Sequence, residues 1–88
     1  MRRHVIFEPR AFADFRRLLG RNGLFAEDLS LVATQQICFI DQYGTSGSDA
    51  VTHEGKEAWS RELSGKYRLV FQLSDEEIRI LSCRQHRK

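Results

Sequence analysis

Residues 58–86 read AWSRELSGKYRLVFQLSDEEIRILSCRQH. Three runs rich in apolar and β-forming residues, Ala58–Leu63, Tyr67–Leu73 and Ile78–Cys83, are separated by Ser64-Gly65-Lys66 and by Ser74–Glu77. Short turn-forming segments between such runs predict three strands in an antiparallel meander. In the middle run Tyr67, Leu69, Phe71 and Leu73 alternate with Arg68, Val70 and Gln72, so the first set is expected to face the core. Arg68 is then a cation in mid-strand on the opposite face. The ordinary reading of such a residue is a snorkelling surface arginine.

Upstream, Arg3–Phe7 reads as a first strand. Pro9 suits the first turn of a helix, where its missing N–H costs nothing. Phe12, Phe15, Leu18 and Leu19 recur at helical spacing and are expected to pack in the core, and Gly20–Gly23 ends the helix. A second helix is expected from about Leu24 to Asp41, with Leu29, Val32, Ala33, Ile37 and Ile40 as its apolar face and Glu27 and Asp28 in its first turn. That helix carries no Arg or Lys, which excludes a DNA-reading helix-turn-helix. Residues 41–58, rich in Gly, Ser, Thr and Asp, read as a long loop, and a loop that long in so small a chain is functional or mobile. The expected architecture is α+β, in the order β-α-α-β-β-β, with two helices packed on one face of a small, mainly antiparallel sheet and residues 1–88 as a single domain.

Hydrophobic residues make up 41% and charged residues 30%, which suits a chain that folds and stays dissolved. No run approaches the roughly 18 apolar residues of a membrane span, and the first apolar run is too short for a signal peptide, so the expected compartment is the cytoplasm. Cys38 and Cys83 are expected to be reduced and structural, and no His or Cys pair has metal-ligand spacing. The net charge of +2 is unevenly laid out. Residues 1–21 carry six Arg against Glu8 and Asp14, residues 22–58 carry Lys56 against six acids, and residues 59–88 carry seven Lys or Arg against four acids. Two basic ends around an acidic middle suit a polyanionic partner.

Three short motifs stand in one register: Trp59-Ser60-Arg61, Arg68-Leu69-Val70-Phe71, and Cys83-Arg84 followed by His86. Together with His53, six residues before Trp59, they resemble the C-terminal half of the RelE/YoeB toxins of bacterial toxin–antitoxin pairs, nearest the YoeB branch. The resemblance implies a RelE-like fold and a metal-independent, cofactor-free endoribonuclease that cuts mRNA in the ribosome. In that chemistry the 2′-hydroxyl attacks the adjacent phosphate, which needs a proton acceptor, a proton donor for the departing 5′ oxygen, and cations on the phosphate. By position in the family pattern, Arg68 would hold the phosphate, His86 would be the general acid and Asp49 the general base. Lys56, Arg61, Arg84 and Arg87 would add contacts to RNA. Tyr43 is a candidate for base stacking; for Trp59 and Tyr67 core packing is the stronger reading. The resemblance also implies a small cognate antitoxin as partner, no membrane, and leaves open a homodimer or a toxin–antitoxin hetero-oligomer.

The chain departs from the family pattern at three places. Arg87 stands where the family has an aromatic, Glu62 where it has a second basic residue, and Thr52 where it has a Lys. The alternative reading is therefore a catalytically weak or inactive module that binds RNA or antitoxin. Geometry adds a further expectation. If Leu73 pairs with Ile78, strict alternation sets Arg68 opposite Cys83 and turns Arg84 and His86 to the other face. For His86 to meet Arg68, the chain is expected to bulge or leave strand geometry within Arg84–Arg87. His4 is assigned no role, and His53 is read as structural or solvent-facing.

Overall fold

A computed structural model describes residues 2–22 and 28–85. The elements are β1 (His4–Phe7), α1 (Pro9–Leu18), α2 (Leu29–Tyr43), β2 (Asp49–His53), β3 (Lys56–Ser64), β4 (Tyr67–Leu73) and β5 (Glu77–Gln85). The five strands form one sheet in the order β1-β5-β4-β3-β2, antiparallel except for β1, which runs parallel to β5. The α+β class and the two helices on a mainly antiparallel sheet are as the sequence implies. The sheet has one more strand than expected.

That strand corrects the long-loop reading of residues 41–58. The first part of the segment is the end of α2, closed by Gly44 at φ 69, whose N–H donates to the Ile40 carbonyl at 2.8 Å. The rest is a β2–β3 hairpin turned by Glu54 (φ 50) and Gly55 (φ 79). Two successive left-handed residues are what a tight two-residue hairpin needs. β2 escaped notice because it is an edge strand with mostly exposed side chains, which imposes no apolar alternation.

α1 begins at Pro9 as expected, but it presents a different stripe. Ala11, Asp14 and Leu18 are buried with Phe15 packed beside them, whereas Phe12 and Leu19 are exposed. Phe12 meets Phe7 edge-on instead of entering the core. The helix is rotated so that Asp14 faces β5, for a reason given below. α2 starts at Leu29, with Asp28 as its N-cap accepting from the Ser30 N–H at 2.8 Å. The expected start at Leu24 and the first-turn position of Glu27 lie outside the described residues. Its anticipated face is the one buried: Leu29, Ala33, Ile37 and Ile40 join Leu69, Phe71, Ile78, Ile80 and Cys83 in one core, with Val32, Trp59 and Tyr67 packed against it.

The register of β5 departs from strict alternation at one point. Leu73 pairs with Ile78 as expected, and Phe71 with Ile80, but Val70 pairs with Ser82. Leu81 is the extra residue of a β-bulge. Its side chain is 5% exposed, in a recess shared with Pro9, Arg10, His53 and Lys56. The expected irregularity within Arg84–Arg87 is corrected for Arg84 and Gln85, which pair regularly with β4, the bulge lying upstream of Cys83; His86 and Arg87 lie outside the described residues. A second register shift, at Leu63, lies between Glu62 and Ser64.

The start of the chain is fastened by Asp41, which is 8% exposed near the end of α2. Its carboxylate accepts the N–H groups of Arg2 (2.8 Å) and Arg3 (3.0 Å), and the Arg3 guanidinium lies 3.4 Å away. The Arg2 N–H above all holds the Asp41 carboxyl below its ordinary pKa, against burial, which pushes it up. A depressed native pKa contributes stability above the unfolded-state value that is lost as pH falls through the native one. Asp41→Asn should therefore unfold at lower denaturant concentration than wild type. The gap should be widest above about pH 4 and close as the solution is acidified further. Urea titrations across the acid range would show this.

Candidate functional site

The face of the sheet opposite the helices carries a cleft of about 650 Å³ lined by Asp49, His53, Ser60, Arg68, Ser82 and Arg84 among others. Strand register explains the grouping. Asp49 pairs with Ser60, Ser60 with Val70, and Val70 with Ser82, so polar residues from β2, β3 and β5 stand in one row beside Arg68, with Val70 of β4 between them. Arg68 stands in the middle of β4, with its side chain 26% exposed. Its Nε donates to Ser60 Oγ at 2.6 Å, and its Nη2 donates to Asp49 Oδ2 at 3.0 Å and to the Ser60 carbonyl at 3.4 Å. Ser60 is 4% exposed, so the hydroxyl holding the guanidinium is itself fixed. The Asp49 side chain is 78% exposed and open to anything entering the cleft.

Two of the three expected catalytic residues, Asp49 and Arg68, are therefore brought into contact. His86 and Arg87 lie outside the described residues. The bulge at Leu81 has a direct consequence for this end of the chain, because Arg68 is paired with Arg84 and not with Cys83. Arg84, two residues before His86 in the sequence, thus takes the register position that the expected geometry denied it.

The expected RNA-contacting residues divide. Lys56 is exposed at the hairpin tip, where it pairs with His53. Arg61 is not in the cleft. It pairs with Leu69, which puts it on the helix side of β3. There its Nε donates to Gln36 Oε1, its Nη1 donates to the Ser46 carbonyl at 2.6 Å, and its guanidinium lies 4.2 Å from the centre of the Phe39 ring. Burial lowers its pKa. Arg61 ties α2 and the following turn to β3, a structural task. Arg84 bends over the edge of β5 so that its Nε donates to both carboxylate oxygens of Asp14, at 3.0 and 3.1 Å. Tyr43 meets Phe39 of α2 with the ring centres 4.6 Å apart and the rings tilted by 46°, and belongs to the helix layer. Trp59 and Tyr67 pack against the core, as their stronger reading had it.

Ser60 and Asp14 were missed. Ser60 had a signal, since it follows Ala58 and precedes Glu62 on the face that carries Arg68. Asp14 had one too, as the acid three residues after Ala11 and four before Leu18 on the buried stripe. β1 covers β5 only as far as Ile80, leaving the next residues with an open outer edge. Asp14, with a side chain 2% exposed, accepts the Cys83 N–H there at 3.3 Å. A backbone donor at the unpaired edge of a core strand has to be satisfied, and this explains the rotation of α1. Among the described residues, no group of three or more His, Cys, Asp or Glu is placed to hold a metal ion, and no helix is long and apolar enough to cross a membrane.

Residues 7–87 match the model of the YoeB-like toxins of bacterial type II toxin–antitoxin systems. The chain belongs to that family. The RelE/YoeB resemblance read from Trp59 to His86 is confirmed over nearly the whole length. The fold of this YoeB-like toxin is similar to that of the YoeB dimer from Staphylococcus aureus (TM-score 0.83, 22% identity, 99% of this chain and 100% of the other). It is also similar to the YoeB–YefM toxin–antitoxin heterotetramer from the same organism (TM-score 0.78, 23% identity, 99% and 100%). A YoeB/ParE toxin from Agrobacterium tumefaciens shares the fold at 15% identity (TM-score 0.73, 96% and 99%). The sequence matches none of the curated proteins at a significant level.

The thiols of this YoeB-like toxin differ sharply. Cys38 is exposed, whereas Cys83 is 2% exposed and its pKa is pushed up to about 12, by burial first and by the charge of Asp14 second. At neutral pH an alkylating reagent should label Cys38 alone in the native protein and both thiols after denaturation, because the thiolate is the reacting species. Equal native labelling of the two, read by mass spectrometry, would contradict the packing around Asp14.

Proposed function

We propose that this YoeB-like toxin is a metal-independent endoribonuclease that cuts mRNA, on the ribosome, and so inhibits translation. The observation that carries the reading is the Asp49–Arg68 contact in an open cleft: a proton acceptor and a phosphate-binding cation on one face, their positions set by strand pairing. In the resting protein the two charges satisfy each other. An RNA phosphate entering the cleft would replace Asp49 on the guanidinium, with Arg68 donating to its non-bridging oxygens. Asp49 is then free to take the proton from the 2′-hydroxyl as that oxygen forms its bond to phosphorus. The bond to the 5′ oxygen breaks, and His86 gives that oxygen its proton. The products are a 2′,3′-cyclic phosphate and a 5′-hydroxyl. Arg68 stabilises the charge that builds on the phosphorane, and Ser60 keeps the guanidinium aimed.

Residues 1–88 would act as one toxin domain in the cytoplasm, neutralised by a small antitoxin. The S. aureus complex of YoeB with YefM supports that partnership by its fold likeness. The second reading, a module that binds without cutting, draws on Arg61 and Arg84 being engaged on Gln36 and Asp14, which leaves fewer free cations in the cleft.

Induced expression of wild type should stop growth and shorten mRNAs, read by primer extension. Arg68→Ala should lower cleavage by roughly 10²–10³-fold, the usual loss for one charge-stabilising donor. His86→Ala should lower it by roughly 10²–10⁴-fold. Ser60→Ala should cost about tenfold or more, the equivalent of one hydrogen bond to a charged group, and Ser60→Thr should recover most of it. An Arg68→Ala/His86→Ala double variant as toxic as wild type would show that the site is wrong. RNA binding with intact messages would favour the binding module.

A further inference from the structure

A second concavity, of about 670 Å³, opens between the C-terminal half of α1 and the end of β5. Arg17, Arg21 and Arg84 line it, with Gln85 and Tyr67, and among the described residues Asp14 is the one carboxylate in its wall. The charges do not balance. Arg84 Nε holds both oxygens of Asp14, and Arg17 Nη1 approaches the same Oδ1 at 3.7 Å. Arg21 Nη1 donates at 3.2 Å to the Tyr67 hydroxyl. Two guanidiniums thus share one buried carboxylate, and the third, Arg21, is held by a hydroxyl alone among the described residues. The Arg17 and Arg84 side chains are 73% and 58% exposed, so their free N–H groups face solvent. Such a recess favours an added anion that guanidinium forks can grip.

Two observations select the anion. Arg84 and Gln85 line both this recess and the Arg68 cleft, so the two concavities meet over the end of β5. A flexible polyanion held in one therefore passes directly into the other. An extended peptide, in contrast, would dock by pairing with the open edge of β5, but there the outward Cys83 N–H is already taken by Asp14. We infer that this recess is a second phosphate subsite, in which Arg17 and Arg21 hold the backbone of the same RNA strand whose reacting phosphate lies at Arg68. The inference rests on the RNA reading above. It adds a track that fixes the strand's direction across the sheet, with the two anchors joined at Arg84.

The test is equilibrium binding of 2′-O-methyl RNA, which lacks the attacking hydroxyl and cannot be cut, as a long single strand and as a dinucleotide over a range of salt concentrations. Each phosphate contact to a single strand contributes about 0.7 to the slope of log K against log salt. Arg17→Gln/Arg21→Gln should flatten the long-strand slope by about 1.4 and leave dinucleotide binding unchanged. Arg17→Lys/Arg21→Lys keeps the charges and should keep the slope, which separates a phosphate contact from damage to α1. Arg68→Ala should weaken both ligands. A wild-type slope in the Gln pair, with Arg68→Ala still weakened, would overturn the subsite and leave the RNA reading standing. No binding of either RNA by wild type would overturn the subsite, whereas the RNA reading itself falls if primer extension shows intact messages. If the Gln pair instead loses binding of a glutamate-rich peptide while its RNA slope is unchanged, the recess is a site for acidic peptide and the inference fails.

Discussion

One extra residue in the last strand governs the molecule. Without the bulge at Leu81, the side-chain period of two would put Arg68 opposite Cys83, and the end of β5 would turn its basic residues toward the helices. With it, Phe71 pairs with Ile80 and Val70 with Ser82, so Cys83 returns to the core while Arg84 comes opposite Arg68. A bulge leaves one residue without a ladder partner, and here that residue is a leucine buried beside Pro9 and the hairpin tip. The burial of Leu81 helps to offset the interrupted ladder. The Arg10–Glu54 ion pair, at 3.0 Å, joins the start of α1 to the same hairpin.

The two sides of the sheet then use arginine for opposite ends. On the helix side Arg61 is consumed by structure: a glutamine, a carbonyl and an aromatic ring hold it, and partial burial already lowers its pKa. On the open side Arg68 is held by Ser60 at one nitrogen and by an exposed carboxylate at another, an arrangement that an incoming phosphate can enter by displacing Asp49. Arg84 belongs to neither class. Its backbone stands opposite Arg68 while its side chain answers the buried Asp14 around the strand edge. Asp14 in turn satisfies Cys83 and sets the rotation of α1, so the edge of β5, the first helix and the cationic surface are linked through one carboxylate.

The meander from Ala58 to Cys83 was legible because alternation in a half-buried sheet is a strong constraint, and the same constraint exposed Arg68 as out of place. The face of α2 was legible for the equivalent reason at helical spacing. β2 was hidden, since an edge strand with two wet faces leaves no pattern to read, and only Glu54-Gly55 marked its turn. Phe12 misled because hydrophobicity outweighed the backbone's need for a carboxylate at position 14. Arg61 misled because a basic residue beside the motif tryptophan reads the same whether it faces RNA or a helix, and only strand parity separates the two. The bulge was inferred from a conflict between parity and chemistry, but Leu81 carries no local mark of it, and so it was sought too near the end of the chain.

The central claim is that the Arg68 cleft promotes attack by the RNA's own 2′-hydroxyl. The most direct measurement is the chemistry of the cut ends in RNA recovered from cells or ribosomes exposed to the wild-type chain. The account predicts a 2′,3′-cyclic phosphate on the upstream fragment, or the phosphate left by its opening, and a 5′-hydroxyl on the downstream one. A 3′-hydroxyl paired with a 5′-phosphate would mean that water attacked instead, and would contradict the roles given to Asp49, Arg68 and His86.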